Sequence, residues 1–396
     1  MSGQLLKHLD GILVADFSRI LAGPLCTMLL SDAGARVVKI EEPRGDETRR
    51  WGPPYVGDES AYFLSINRNK ESIALNLKHP GAHEIAKKIV AKADVVIENF
   101  KPEDRAKFGV DAASVHASNP RAVVCSIVGF DSDGPDAAQP GYDLLAQAAG
   151  GLMSITGEKD GDPMKVGVAL SDVLTAHFAY GAIVTALLAR ERGAPGQAVE
   201  VSLVAATLAS LANVAQAHLL TGERPKRYGN EHPSIVPYQQ FHGADRPFVI
   251  AAASDRQFEL LCAGVIVRPE LLDDPRYRTN SHRVDNRDSL IEELERVFAT
   301  KPAKHWVEAA HRAGIPAAIV ENVDEALARN PQMRITMEHP TIGRLESVRN
   351  PVIWNGSRLD PVSPPPVVGQ QSESVLRELG YDAAAIAGLF ERGVVA

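Results

Sequence analysis

Short apolar runs alternate with longer stretches of helical period through the first third of the chain. ILVADF (12–17) and RVVKIE (36–41) are strand-like. The segment between them spaces its apolar residues at helical intervals, and Gly34 is placed to end that helix. SIALNLK (72–78), DVVIENF (94–100) and AVVCSIVGF (122–130) continue the series, with HPGAHEIAKKIVAKA (79–93) as an intervening helix. Continuous apolar strands alternating with helices predict an α/β fold with a parallel, Rossmann-like sheet. Ligands of such sheets bind beyond the carboxyl ends of the strands, which singles out the loops SRILAGP, EEPRGDETRR, ENFKP and GFDSDGP.

From residue 166 to about 220 the pattern turns to long Ala/Leu-rich helices, broken at RGAPGQ. The turn-rich stretch TGERPKRYGNEHPSIVPYQQF reads as the crossing into a second, smaller α+β domain. That domain opens with the strand PFVIAAAS, is mostly helical from Asp255 to about Asn330, and adds a strand in GIPAAIVEN. Short strands, a Pro-rich linker and a terminal helix pair follow. The expected organisation is a discontinuous large domain, 1–220 with 330–396, and a small domain, 225–329. A chain of 396 residues is long for one core, in keeping with two domains.

Composition narrows the class. Apolar residues are 45% and charged residues 23%, a globular mixture. No long apolar run is free of charges and breakers, so no membrane span is expected. The N-terminal stretch MSGQLLKHLDGILVADFSR has charges within its apolar part and reads as no signal peptide. Cys26, Cys125 and Cys262 sit in unrelated contexts, which fits a reducing, cytoplasmic compartment without disulfides. The formal net charge of −8 argues against nucleic acid as a partner. No CxxC or HExxH points to a metal. No GxGxxG follows the first strand, which disfavours a nicotinamide cofactor, and no Walker A sequence occurs.

VGVALSDVLTAHFAYGAIVTALLAR (166–190) holds a single carboxylate, Asp172. An acid in an apolar stretch loses hydration at a cost unless something pairs with it or uses it. It can be a helix cap, a general base, or a nucleophile that forms a covalent acyl intermediate. Gly141, Gly150, Gly151, Gly157 and Gly167 crowd the preceding sequence, and glycines let a bulky ligand approach the backbone.

SRILAGPLCTMLLSDAGARVVKIEEPRGDETR resembles the N-terminal signature of the class III CoA-transferases, the CaiB/BaiF family. The resemblance continues through ENFKP and PGYDLLAQAAGGLMSITG. It is strongest at GVALSDVLTAHFAYGAIVTALLARERGAPGQAVEVSL and spans essentially the whole chain. It implies coenzyme A, carried as an acyl-CoA, and a small carboxylic acid as substrates. It also implies an interlocked homodimer, each chain threading the other. The family's nucleophile falls on Asp172, whose carboxylate would attack the thioester to give an aspartyl acyl mixed anhydride and a CoA thiolate. The thiolate can attack either carbonyl, and a new acyl-CoA leaves. Thioester and carboxylate exchange at nearly equal free energy, so no ATP is required, while the anhydride has to be kept from water.

By position, the resemblance places CoA contacts at Ile20, Leu21 and Ala22, from Leu75 to Lys78, at Asn99, Phe100 and Lys101, at Lys107, and at Gly141 and Tyr142. Formyl-CoA transferases carry an arginine where this chain has Glu42. Arg44, Arg49 or Arg50 are candidates to replace its phosphate contact, because a guanidinium fork suits phosphate. The glycine-rich loop of some members falls on GNEHPSIVPYQQF, where Asn230, His232 and Ser234 stand instead. The 2-methylacyl-CoA racemases of the family place a histidine where this chain reads Gly141-Tyr142-Asp143. A phenol is a poor base near neutrality, so the transferases are matched better and a racemase is the alternative. His177, one turn and more beyond Asp172, is expected to face away from it. A non-catalytic acyl-CoA-binding protein is the remaining alternative, disfavoured by the intact aspartate.

Overall fold

The computed structural model describes residues 8–361 and 363–396, and every count below refers to these. Residues 1–7, part of the stretch read as carrying no signal peptide, lie outside them. The chain divides into two compact units. One comprises the residues up to Leu152, Lys165–Glu223 and Asn330–Ala396; the other comprises Met153–Met164 and Arg224–Arg329. The second unit thus takes in a segment just before Asp172 besides the stretch around 225–329.

In the first unit six strands form one parallel sheet: β1 (Leu13–Asp16), β2 (Arg36–Glu41), β3 (Lys70–Ala74), β4 (Val95–Glu98), β5 (Val123–Val128) and β6 (Ala198–Ser202). Their order is β3-β2-β1-β4-β5-β6, so the direction of winding reverses between β1 and β4. Around the sheet lie α1 (Ala22–Asp32), α2 (Pro80–Lys92), α3 (Pro102–Phe108), α4 (Asp143–Ala149), α5 (Leu170–Glu191) and α6 (Leu203–Ser210). Successive strand residues point to opposite faces. Ala15, Val38, Val96 and Val124 pack on one side with Ile85 and Ile89 of α2 and Leu376 and Leu389 of the C-terminal helices. Val14, Val37, Val95 and Val123 pack on the other with Leu30 of α1 and Ala179 and Ile183 of α5. Both faces are covered, which is why the strands read as unbroken valine and isoleucine. Gly34, at φ +103°, follows α1 as expected.

Three features differ from the sequence pattern. The stretch read as long helices contains a strand, β6, at the sheet edge. Gly150 and Gly151 serve packing and turning. A Cβ on Gly150 would lie 2.7 Å from Thr207 of α6, and Gly151 has φ +80°. Finally, α5 is long and apolar enough to cross a membrane by length and composition, whereas the pattern led to no expected span. Its inner face, including Thr175, Ala176, Ala179 and Ile183, is buried within the unit, and Arg190 pairs with Asp94 at 2.8 Å.

The second unit is built on an antiparallel sheet of Tyr238–His242, Pro247–Ala251 and Ala317–Ile319, the middle strand being Pro247–Ala251. Phe241, Phe248, Phe298 and Trp306 meet edge to face beneath it, at centroid separations of 4.9–5.3 Å for the three closest pairs.

The loop after β5 returns to its own base at a contact between two glycines. A Cβ on Gly129 would lie 2.3 Å from the Gly141 Cα, and one on Gly141 would lie 2.1 Å from the Gly129 Cα. This approach brings the start of α4 beside the end of β5. Gly129→Ala is expected to lower stability by about 1–3 kcal/mol through overpacking. Denaturant unfolding of the full chain checks this; an unchanged midpoint would show that the loop base yields freely.

Candidate active site

Asp172 lies in the first turn of α5, where the unpaired amides of the helix start favour negative charge. It is not the cap. The cap position is Ala169, whose side chain offers no acceptor, and Asp143 of α4 supplies one from a distance. The Asp143 Oδ1 accepts the Ser171 N–H at 2.8 Å and the Asp172 N–H at 3.4 Å. Its Oδ2 accepts Gln147 Nε2 at 2.7 Å, and Gln147 Oε1 in turn accepts the Val166 N–H at 2.9 Å. On the far side, the Ser171 and Thr207 hydroxyls lie 2.6 Å apart. The turn that carries Asp172 is therefore fixed from both flanks.

Asp172 is 9% exposed, and among the described residues no hydrogen-bond donor is seen on its carboxylate. Burial, and then the negative charge of Asp143, push it up from 3.8 to about 7. Tyr62 shares this neighbourhood. Burial pushes its phenol up to about 12, and Asp172, Asp143 and Asp46 act in the same direction. Tyr62 thus keeps its proton near neutrality and has a neutral hydroxyl that can donate a hydrogen bond.

A cleft of about 320 Å³ opens beyond the carboxyl ends of β1, β2, β3 and β4, around the point where the winding reverses. Arg44, Lys78 and Phe100 line it, as do Arg19, Lys39 and Asp46. Lys78 and Arg44 are exposed cations on its wall. Asn99 joins the two loops across the switch point. It accepts the Arg19 N–H at 2.9 Å and donates to the Arg19 carbonyl at 2.8 Å. Ile20, Leu21 and Ala22 form the turn from β1 into α1. Lys101 is the residue before α3, and Lys107 stands over Phe108, which meets Phe100 edge to face.

The remaining expected residues fall elsewhere. Leu75 is fully buried in the core, and its N–H is spent on the Glu41 carbonyl, so it offers a ligand nothing. Arg49 is not free to hold phosphate. It is buried, forked onto Glu41 at 2.7 and 2.8 Å, and stacked 3.5 Å over Phe63. Arg50 is exposed and donates to the Arg44 carbonyl. Glu42, at the position of the missing arginine, does line the cleft, 3.7 Å from Arg19. Gly141 is held against Gly129, and Tyr142 is 55% exposed, directly before Asp143. His177 is exposed on α5 and bonds the Val173 carbonyl. Asn230, His232 and Ser234 belong to the second unit, where Arg287 donates to the His232 carbonyl at 2.8 Å. All three cysteines are free and buried.

A β3-β2-β1-β4-β5-β6 sheet with a cleft at its reversal defines a doubly wound domain suited to a nucleotide-like ligand. A buried, donor-free carboxylate at a helix start adds the means for nucleophilic chemistry. Residues 9–372 match the model of CoA-transferase family III. The chain is 41% identical over 397 residues to the succinyl-CoA:glutarate CoA-transferase of Mus musculus, covering 98% of this chain and 91% of that one. It is also 41% identical, over 362 residues, to the acetyl-CoA:oxalate CoA-transferase of Acetobacter aceti, covering 91% and 89%. A solved CaiB/BaiF family protein from Brucella suis superposes with a TM-score of 0.85 at 37% identity, over 95% of this chain and 100% of that one. The chain belongs to CoA-transferase family III, and its activity is CoA transfer.

Proposed function

We propose that this transferase moves CoA from succinyl-CoA to a short dicarboxylate, glutarate first, with Asp172 as the nucleophile. The observation that carries the substrate is the 41% identity to a succinyl-CoA:glutarate enzyme over 98% of the chain. The burial of Asp172, without a donor on its carboxylate, supports the route.

The Asp172 carboxylate attacks the thioester carbonyl, the C–S bond breaks, and CoA leaves as thiolate, giving the mixed anhydride. The thiolate attacks the aspartyl carbonyl, releasing succinate and leaving an aspartyl CoA thioester. The incoming carboxylate attacks that thioester, expelling the thiolate again and forming a second anhydride. Attack of the thiolate on the acceptor's carbonyl then releases the new acyl-CoA and restores Asp172. Each tetrahedral oxyanion needs a donor, and the protonated Tyr62 is the candidate for it. Arg44 and Lys78, on the cleft wall, are the cations offered to the CoA phosphates.

The reading includes the interlocked homodimer. Phe178, Leu188, Leu208, Leu219 and Leu220 are 49–76% exposed along α5, α6 and the following helix, a run of apolar surface that a second copy would cover. Light scattering should then give twice the 42.6 kDa chain mass; a monomer would end that part of the reading.

The test of the reaction is a panel of acids offered with succinyl-CoA, each acyl-CoA product resolved by chromatography. Glutarate is expected to give the highest kcat/KM. A preference for oxalate with acetyl-CoA would move the assignment to the other relative's chemistry. Hydroxylamine trapping should leave a hydroxamate on the peptide that holds Asp172, and a trap on any other carboxylate would overturn the nucleophile.

A further inference from the structure

Ile20 adopts φ +70°. A β-branched side chain in the left-handed region is an outlier that persists only where its surroundings hold it. The surroundings do so residue by residue. Asp16 accepts both the N–H and the hydroxyl of Ser18. Lys39 Nζ donates to the Ser18 carbonyl at 2.9 Å. Asn99 takes both backbone groups of Arg19. The Ile20 N–H points at Asp46, 3.3 and 3.4 Å from its two carboxylate oxygens.

Asp46 is the member that engages Ile20 itself. It is 3% exposed and lies 3.0 Å from Lys39, itself 1% exposed. Its Oδ1 also accepts the Thr48 N–H and hydroxyl, and its own N–H is held by Glu41. Burial alone would raise Asp46 and lower Lys39. Their attraction prevails, with Asp46 held below and Lys39 above the ordinary value, so the pair stays charged. The loop after β2 is thereby tied to the loop after β1, and both border the cleft through Phe17, Arg19, Lys39, Arg44 and Asp46.

We propose that Asp46, with Lys39, is a positioning residue for acyl-CoA: it holds Ile20 in the left-handed conformation, which keeps the 18–22 turn and Arg19 in the shape that receives CoA. This rests on the reading that CoA occupies the cleft. Asp46 acts through the turn, because its oxygens are engaged by Ile20, Thr48 and Lys39. Without it, Ile20 relaxes to negative φ for most of the time, and apparent affinity falls by the fraction of chains left competent.

The experiment uses the full chain, with calorimetric titration of CoA itself and kinetics with acyl-CoA varied. Asp46→Ala is expected to raise both the Kd of CoA and the KM of acyl-CoA by roughly tenfold, with kcat altered less than about twofold. Ile20→Gly, added to Asp46→Ala, should recover most of that loss when compared with Ile20→Gly alone, since glycine adopts positive φ freely. A merely structural Asp46 would lower the melting temperature without any rescue at position 20. If the stranded Lys39 charge prevents folding, Lys39→Met with Asp46→Ala removes both charges and is read the same way. An unchanged Kd, or no recovery with glycine, overturns the proposal. Failure of the wild-type chain to bind CoA overturns instead the reading on which it rests.

Discussion

Asp172→Ala is expected to leave a folded chain whose CoA transfer is lower by roughly 10⁴-fold or more, since removal of a covalent nucleophile closes the route itself. The side chain is small and lies at a helix start, so its loss does not remove core packing. The variant should still bind CoA, because the cleft walls are supplied by the segments after β1, β2, β3 and β4. Hydroxylamine should then trap nothing. Retention of a tenth of the activity, measured with the best donor and acceptor, would exclude Asp172 as nucleophile. The companion variant Asp172→Asn should be more stable than the wild type. The native carboxyl sits near 7 against 3.8, so the folded state binds its proton more tightly than the unfolded one. The cost of charging it is absent below about pH 4, grows as pH rises through that window, and is full above about pH 7. The displacement corresponds to about 4 kcal/mol at most. Neutral asparagine does not bear that cost. Thermal unfolding of the two proteins should therefore diverge from pH 4 to pH 8. Superimposed curves at pH 8 would show that the carboxylate is not under strain.

How much of this is visible in the residues alone depends on the range over which each feature is built. β1, β2, β4 and β5 are legible because both faces are buried, so Val14, Val37, Val95 and Val123 and their neighbours leave an unbroken apolar record. β6 is not. AVEVS is a short edge strand of mixed exposure between Ala-rich helices, and its local preference does not oppose theirs. Asp172 stands out because it is the one acid in an apolar stretch. Its partners do not. Asp143 reaches it across 29 positions, and Tyr62, whose phenol it influences, comes from the separate short helix Ala61–Ser65. A faint signal for Asp143 exists, since a helix beginning at Ala169 has no capping side chain and must find an acceptor elsewhere. Transfer of contacts by position fails where the strand phase decides. Leu75 follows Ile73 by two, so it shares the buried face. Arg49 fails for a different reason, because Glu41 is close enough to claim its fork before any phosphate does.

The second large effect concerns pH and isolates Asp143. Attack on the thioester requires Asp172 as carboxylate, so kcat/KM for acyl-CoA should rise with pH and reach half its plateau near 7. Two causes set that value. Burial is the larger, and the Asp143 charge the smaller. Asp143→Asn keeps an acceptor oxygen at the Ser171 N–H and removes the charge. The acid limb should therefore move to lower pH, but stop well short of 3.8, because burial remains. The plateau should fall at the same time, since a less basic carboxylate is a weaker nucleophile. Asp143→Ala removes the acceptor as well as the charge. The Ser171 and Asp172 amides then lose their partner, Gln147 Nε2 keeps only the Val168 carbonyl at 3.3 Å, and the turn is free to shift. A displacement of the nucleophile by about 1 Å costs on the order of 10²-fold in rate. The alanine variant should thus share the asparagine variant's limb and lie roughly 10²-fold below the wild type at the plateau. A limb that stays at 7 in both would leave burial as the sole cause. A limb that moves upward would mean that Asp143 stabilises the Asp172 charge through the turn it caps, reversing the sign argued here.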